Sequence, residues 1–370
     1  MRKPPVEHAI NFWADDPPSL ENAYQILPPG KKETSQLAAP LGIPPLDVFK
    51  VTTGSWAARR DKWILEVGIR GEEGRASDVA ESDDVQVASY TNEAYLQGSN
   101  NGLKDDTAGT SVFDPVLCEV GYGWFCPKGG SILDPFAGGT TRGLVAAYLG
   151  YEYTGIEIRQ GQVDANRKQL TVVKARHDMV FAREIAAGIR QPMKTPNWIV
   201  GDSTNLEKLL PTGETYDLLF SCPPYFDLEK YSTKKGDGSR AETYEEFMVW
   251  LENIYRQAVA RLRNDRFAVT TVGDMRNKKT GAYRLFPEDT TIMFARRLGL
   301  VPHNKAILCT PIGRQPIRTA ASFPSNRRLG HVHQEVKIFW KGEERLDAVK
   351  EAMGELALIN AVPLVPEPEQ

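Results

Sequence analysis

Two short segments carry residues whose types and order could do chemistry. Residues 134–141 read DPFAGGTT and residues 221–225 read SCPPY, and each follows an apolar run that predicts a β-strand. A glycine turn lets the backbone approach a bound molecule closely, and the helix after it offers free N–H groups. Consecutive prolines fix the backbone and aim the groups beside them in set directions. Together the segments predict a site that moves a group from a small donor to a planar amine.

The glycine loop, residues 134–141, is the predicted donor site. Gly138, Gly139 and Gly143 do not have the G-x-G-x-x-G spacing of a dinucleotide site. The acid within the loop disfavours a phosphate ligand. S-adenosylmethionine fits better, because it has no phosphate but carries an ammonium, a carboxylate and a sulfonium. The loop residues expected to bind it are Asp134, Phe136, Ala137, Gly138, Gly139, Thr140 and Thr141.

Acids after the next two predicted strands extend this donor site. Glu157, in TGIEIR, is expected to accept hydrogen bonds from both ribose hydroxyls. Asp202, in GDS, is expected to read the adenine amino group. Each acid could instead only cap a helix or loop, but their recurrence at strand ends favours binding. Ile158 and Ser203, beside these acids, complete the predicted set.

The proline motif, residues 221–225, is the predicted catalytic segment. An exocyclic amine is a poor nucleophile because its lone pair is delocalised into the ring, and two hydrogen-bond acceptors would make the nitrogen more reactive. Cys222 leaves two chemistries open. As a near-isostere of serine it modestly favours cytosine N4 over adenine N6, whereas as a thiolate it could attack the ring for C5 methylation. The predicted catalytic residues are Ser221, Cys222, Pro223, Pro224 and Tyr225, the last as a stacking surface.

These motifs resemble those of the DNA amino-methyltransferases, which make N4-methylcytosine or N6-methyladenine. DPFAGGTT looks like their donor motif, GIEIR like their ribose motif and SCPPY like their catalytic motif. FDPVL, residues 113–117, occupies the place of a segment beside the methionine part of the cofactor, which implies binding by Phe113 and Asp114. The SCPPYFDLEKYS run at residues 221–232 and the GDMR segment at residues 273–276 look like the corresponding segments of methylases carried by phages and prophages. The resemblance covers about residues 111–342 and implies S-adenosylmethionine as the cofactor.

The resemblance also implies DNA as the partner, double-stranded and with the target base flipped out. The net charge of −3 means that any basic surface must be local. His331 and His333 are interpreted as surface or substrate contacts, and no metal is expected. RNA or a protein glutamine as substrate, or a binding protein without activity, are the competing interpretations, and the sequence names no partner endonuclease. The predicted DNA contacts are Lys230, Tyr231, Arg276, Arg314, Arg318, Arg327 and Arg328.

The elements that must position these residues alternate between strand and helix from residue 111 onward. Thr243 and Glu246 predict a capping box, and Thr140 and Thr141 are expected to cap the helix after the glycine loop. The fold class is therefore α/β, a Rossmann-like methyltransferase with a seven-stranded, mostly parallel sheet. Predicted strands cover residues 131–133, 153–156, 198–200, 217–220, 267–272, 306–309 and 335–340. Predicted helices cover residues 141–149, 161–175, 206–210, 243–262 and 290–298.

The predicted organisation has four parts: an irregular extension at 1–70, an acidic polar linker at 71–110, the catalytic domain with its DNA-recognition elements at 111–345, and a tail at 346–370. Trp56 and Trp63 are expected to pack an N-terminal helix against the catalytic domain. The 4 cysteines form neither a zinc nor a disulfide pattern. With no signal peptide or apolar span in the sequence, we expect a cytoplasmic enzyme of a bacterium or a phage-infected cell.

Overall fold

The strands of the protein form one eight-stranded sheet in the order β1-β7-β8-β6-β5-β2-β3-β4. The computed structural model describes residues 43, 45–52, 54–70, 113–226, 241–310, 315–345 and 347–353. The strands are β1 (Val48–Lys50), β2 (Ser131–Asp134), β3 (Glu152–Glu157), β4 (Asn197–Val200), β5 (Tyr216–Ser221), β6 (Leu262–Val272), β7 (Val301–Cys309) and β8 (His333–Lys341). Only β8 runs antiparallel to its neighbours, β6 and β7.

The strand order confirms the predicted Rossmann-like α/β class. Counted from β2, the strands β4, β3, β2, β5 and β6 have the order 3-2-1-4-5, which is that of a doubly wound sheet. The order reverses between β2 and β5, which are paired in parallel. β1 adds an eighth strand at the edge through parallel pairing with β7. The sequence predicts an irregular extension for that segment, so the predicted count of seven strands is wrong.

Helices follow most strands and cover both faces of the sheet. The predicted capping box is confirmed, since Thr243 accepts from the Glu246 backbone and the Glu246 carboxylate accepts in return. The helices are α1 (Gly54–Asp61), α2 (Pro115–Phe125), α3 (Thr141–Tyr148), α4 (Gln160–Val180), α5 (Ala182–Ala186), α6 (Leu206–Leu209), α7 (Tyr244–Arg261), α8 (Phe286–Ile292), α9 (Gln315–Asn326) and α10 (Ala348–Met353). Among the described residues, none of the helices is long and apolar enough to cross a bilayer.

The core has two layers, one on each face of the sheet. Successive side chains of a strand point to opposite faces. Accordingly Ile132 and Phe220 belong to the first apolar cluster, and Leu133 and Leu219 belong to the second. The first cluster also contains the aromatic residues of α1 and α2, and the second contains those of α7 and α8.

The N-terminal segment is part of the first layer. Trp56 and Trp63 are buried, which confirms the predicted packing of this helix against the domain. The Trp56 indole donates to Asp114 at 2.9 Å, and the Trp63 indole donates to Glu119 at 2.9 Å. Arg59 forms an ion pair with the same Glu119 carboxylate. The predicted linker at 71–110 lies outside the described residues, so the domain division remains a prediction.

Candidate active site

The glycine loop, residues 134–141, connects β2 to α3 at the carboxyl edge of the sheet. Asp134 ends β2 with 0% of its surface exposed. Gly138 has a φ of 52°, a left-handed conformation that glycine adopts without strain, so the turn requires this residue. The Ala137 amide donates to the Ile156 carbonyl at 2.9 Å, which ties the loop to the end of β3. The loop is thus held against the neighbouring strand while Gly138 and Gly139 stay partly exposed.

Arg142, on the first turn of α3, organises the glycine loop from inside. Its Nε donates to the Asp134 carboxylate at 2.5 Å, and its Nη2 donates to the Phe136 carbonyl and, at 3.0 Å, to the Ala137 carbonyl. Burial would lower the pKa of the Arg142 guanidinium, but Asp134 outweighs that effect and raises the pKa well above its ordinary value. The Tyr153 hydroxyl also donates to Asp134, at 2.8 Å. Asp134 therefore serves as an internal anchor of the loop.

The threonines of the loop do not cap α3 as expected. Thr140 is helical at the N-cap position and makes no side-chain cap. Its hydroxyl donates instead to Asn166 Oδ1 at 3.1 Å, and Asn166 Nδ2 donates to the Gly138 carbonyl at 2.9 Å. The polar side chain of Thr140 is thus used to fasten the loop to α4. The predicted cap is wrong because the Thr140 hydroxyl hydrogen-bonds instead to the buried side-chain amide of Asn166.

The two further acids lie along the same edge of the sheet. Glu157 is buried at the end of β3 and accepts from the Arg159 backbone at 2.8 Å and from its Nε at 3.1 Å, both through Oε1. Asp202 follows β4 and accepts from the Thr204 amide at 2.9 Å, so it caps a short turn. Ser203 donates to the Pro135 carbonyl at 2.5 Å. This bond joins the loop after β4 to the glycine loop, and Asp202 stays partly exposed beside it.

Phe113 and Asp114 lie directly before α2. The Arg142 guanidinium lies 4.8 Å from the centre of the Phe113 ring. Asp114 is buried and caps α2 by accepting from the amides of Val116 and Leu117. Burial raises the pKa of Asp114 above its usual value even though the Trp56 indole and these amides oppose the shift. Asp114 therefore connects the N-terminal segment to the start of α2, whereas Phe113 contacts Arg142, the residue that holds the glycine loop.

The proline motif, residues 221–225, begins where β5 ends. Ser221 is fully buried, and its hydroxyl is 2.9 Å from that of Tyr255 on α7. The Tyr255 hydroxyl is also 2.9 Å from that of Thr270 on β6. These contacts fix the start of the motif between two elements. Cys222 and Pro224 are its partly exposed members.

Tyr225 lies deeper than a freely presented stacking surface would. Only 7% of it is exposed. Its hydroxyl accepts from Gln334 Nε2 at 2.8 Å, and its ring meets the Phe286 ring edge-on at 6.0 Å. A methyl group added at Gly273, after β6, would approach the same hydroxyl to 3.1 Å. The ring is therefore fixed in place by β8, α8 and the turn after β6.

The glycine loop and the proline motif are brought together. They follow β2 and β5, which pair through Ile132 with Leu218 and Leu133 with Leu219. Tyr255 touches both segments, since it contacts Ser221 by its hydroxyl and Phe136 by its ring at 5.6 Å. Arg142 is close enough to Cys222 for a charge on the thiol to affect it. Sequence reasoning missed Arg142 and Tyr255, since nothing in their local sequence shows which loop they support.

The predicted DNA contacts are only partly described. Lys230, Tyr231 and Arg314 lie outside the described residues, and of Arg318 only the backbone, within α9, is described. Arg276 donates to the Gly281 carbonyl at 3.0 Å and stacks on Tyr283, and Arg328 donates to the Thr280 carbonyl at 3.2 Å. Arg327 is exposed just after α9. The structure thus gathers Arg276 and Arg328 at one turn after β6.

No protein-family model and no curated protein matches the chain. Among solved structures it is similar to TrmN from Thermus thermophilus, with 15% identity over 62% of this chain and 49% of that one and a TM-score of 0.38. It is similar to a TehB-like SAM-dependent methyltransferase from Corynebacterium glutamicum, with 18% identity over 67% of this chain and 97% of that one and a TM-score of 0.35. It is also similar to a methyltransferase from Pyrococcus furiosus, with 16% identity over 69% of this chain and 98% of that one and a TM-score of 0.38. The chain spans about half the length of the Thermus thermophilus protein.

Proposed function

We propose that this chain is an S-adenosylmethionine-dependent methyltransferase that modifies the exocyclic amine of a base in DNA. The observation that carries the proposal is the meeting of the glycine loop and the proline motif at the ends of β2 and β5, where the strand order reverses. Ligands of open α/β sheets bind in the crevice at this switch point. A donor held by one strand end is then within reach of an acceptor held by the next, as direct transfer requires.

The residues at this crevice fit the proposed donor. S-adenosylmethionine supplies an electrophilic methyl group on a sulfonium. Asp134 is paired with Arg142 and so holds the loop in its conformation. Gly138 and Gly139 are partly exposed, so a ligand can reach the loop there. Glu157 would receive the ribose hydroxyls and Asp202 the adenine amino group.

The proline motif would hold the target amine. The carbonyl oxygens beside Pro223 and Pro224 would accept hydrogen bonds from the amine and make its nitrogen a better nucleophile. Cys222 is partly exposed there and stands where a serine, aspartate or asparagine is usual in the family it resembles. Its near-serine shape is the reason we favour cytosine N4 modestly over adenine N6.

DNA is the proposed substrate because basic residues flank the crevice. Arg276 and Arg328 meet at the turn after β6, and Arg327 is exposed nearby, which suits contact with phosphates. A base inside a duplex cannot reach a crevice bounded by a buried tyrosine. The target base is therefore proposed to leave the stack before transfer.

The decisive experiment is to express the full chain in a bacterial host that lacks DNA methylation. Nucleoside mass spectrometry of both DNA and RNA is then compared with that of cells carrying the empty vector. N4-methylcytosine or N6-methyladenine in DNA supports the proposal. Methylation confined to RNA overturns the substrate, and absence of any new methylated nucleoside from cells containing folded protein overturns the function.

Changing Cys222 to serine separates the two chemistries that the motif allows. If the amine is the acceptor, C222S should retain methylation within about tenfold, since serine preserves the shape and a hydrogen-bonding group. If the thiolate attacked the ring, a serine would be a far weaker nucleophile and methylation would be lost. The purified variants are compared by transfer of a labelled methyl group to DNA, with Cys309→Ser as the matched control. Complete loss in C222S, with C309S active, would contradict amine chemistry.

A further inference from the structure

A cluster of potential metal ligands lies beside the proline motif. Asp274, His331 and His333 each offer one ligand atom, and these atoms lie within 4.8 Å of one another. The rings of the two histidines are 4.4 Å apart between centres. His331 Nδ1 is 3.4 Å from the Asp274 carboxylate. We call these three residues the histidine cluster.

The antiparallel pairing of β8 creates this cluster. Residues two apart on an extended chain point to the same side, so His331 and His333 share one face. Val332, between them, accepts from the Thr310 amide at 2.9 Å, which extends the pairing with β7 beyond the strand. Asp274 comes from the turn after β6, whose last residue pairs with Glu335. The three side chains therefore meet by the geometry of the sheet, although Asp274 is far from the two histidines in the sequence.

One separation within the cluster is closer to that of two metal ligands than to that of a hydrogen-bonded ion pair. A charged imidazole donating to a carboxylate would lie about 2.7–2.9 Å from it, which is shorter than the separation here. Two atoms bonded to one tetrahedral Zn²⁺ at about 2.0–2.1 Å are about 3.3–3.4 Å apart. His331 Nδ1 and the Asp274 oxygen have that separation, at 3.4 Å.

The state of His331 agrees with this interpretation. Its Nε2 is buried and has no hydrogen-bond partner among the described residues. Because an imidazole binds one ion through a single nitrogen, the ligand atom of His331 is either Nδ1, which is 3.4 Å from Asp274, or the unpartnered Nε2.

We propose that Asp274, His331 and His333 bind a divalent zinc ion through three protein ligands and one water. Two imidazoles and a carboxylate suit Zn²⁺ in number and in chemistry. The ion would join the turn after β6 to the start of β8. Gln334, which holds the Tyr225 hydroxyl, follows His333 directly. Zinc at this position would make the support of the proline motif rigid without taking part in a reaction.

The test is zinc binding by the full chain in the absence of any donor or DNA. The protein is stripped with a chelator, incubated with zinc chloride and freed of excess metal by gel filtration, and its zinc is measured by mass spectrometry. We expect one zinc per chain in the wild type and none in the H331A/H333A double variant. Asp274→Asn should weaken binding by at least about tenfold. His303→Ala is the matched control, because His303 is exposed on β7 and outside the cluster.

A second measurement guards against variants that fail to fold. Cobalt chloride added to the stripped wild-type protein should give the intense visible absorption of tetrahedral Co²⁺, and zinc should abolish it. Zinc should also raise the Tm of the wild type and of H303A alike. A wild-type protein that holds no zinc and gives only the pale spectrum of hydrated Co²⁺ overturns the proposal. Because no methyl transfer is measured, failure of the proposed enzyme activity would leave this result intact.

Discussion

Replacing Arg142 with methionine should reduce the free energy of unfolding by about 3–5 kcal/mol, because it leaves the fully buried Asp134 carboxylate without its charged partner. The carbonyl groups of Phe136 and Ala137 also lose their donor. The measurement is urea unfolding followed by circular dichroism.

Two matched variants make this result specific. Arg256→Ala breaks an exposed pair with Glu252 and should cost only about 0.3–0.5 kcal/mol. Asp134→Asn combined with R142M removes both charges, so the double variant should be more stable than R142M alone. A loss below about 1 kcal/mol in R142M, or no recovery in the double variant, would mean that the pair is not a desolvated anchor of the loop.

Replacing Tyr225 with alanine should lower kcat at least about 100-fold, because small displacements of a positioned acceptor cost that much. The ring is fixed by Phe286 and by the bond from Gln334, so its removal leaves a gap beside the target amine. The rate is followed with purified protein by transfer of a labelled methyl group to DNA. Binding of S-adenosylmethionine, measured separately by calorimetry, should change little, since the donor residues lie on other strands.

The phenylalanine variant separates the ring from its hydroxyl. Tyr225→Phe and Gln334→Ala each remove one hydrogen bond, worth about 0.5–1.5 kcal/mol, so each should lower kcat only about 2- to 12-fold. Their effects should not add, since both break the same bond. If folded Y225A kept the wild-type rate, the proposed role of the proline motif in catalysis would be excluded.

The sequence predicted the parts of the fold that depend on local pattern. The capping box at Thr243 and the apolar runs of β2 and β5 could be found because each signal lies within a few residues. β1 could not be found in this way, since Val48–Lys50 is a strand only through its pairing with β7. α9 was missed because Pro324 and the basic residues around it resemble a loop.

The candidate site was predicted in its residue types more than in its contacts. Asp134 and Glu157 were expected to face a ligand, yet each accepts from an arginine of this chain. Tyr225 was expected to offer a flat stacking surface for a base, and the structure shows that only 7% of it is exposed. The acids at the strand ends could be recognised from the sequence, whereas their pairing depends on where Arg142 and Arg159 come to lie in three dimensions. No local pattern in the sequence shows how close these arginines lie to the acids in the folded chain.

The position of β1 at the edge of the sheet has a consequence for synthesis on the ribosome. The first strand of the described chain hydrogen-bonds to β7, so it must wait until the last third of the protein has emerged. Contacts between such distant segments slow folding, because the loop between them must close first. Meanwhile β1 has no partner strand, and an unpaired edge can bind another chain. We therefore expect nascent chains that stop before Ile307 to aggregate, although they already contain both the glycine loop and the proline motif.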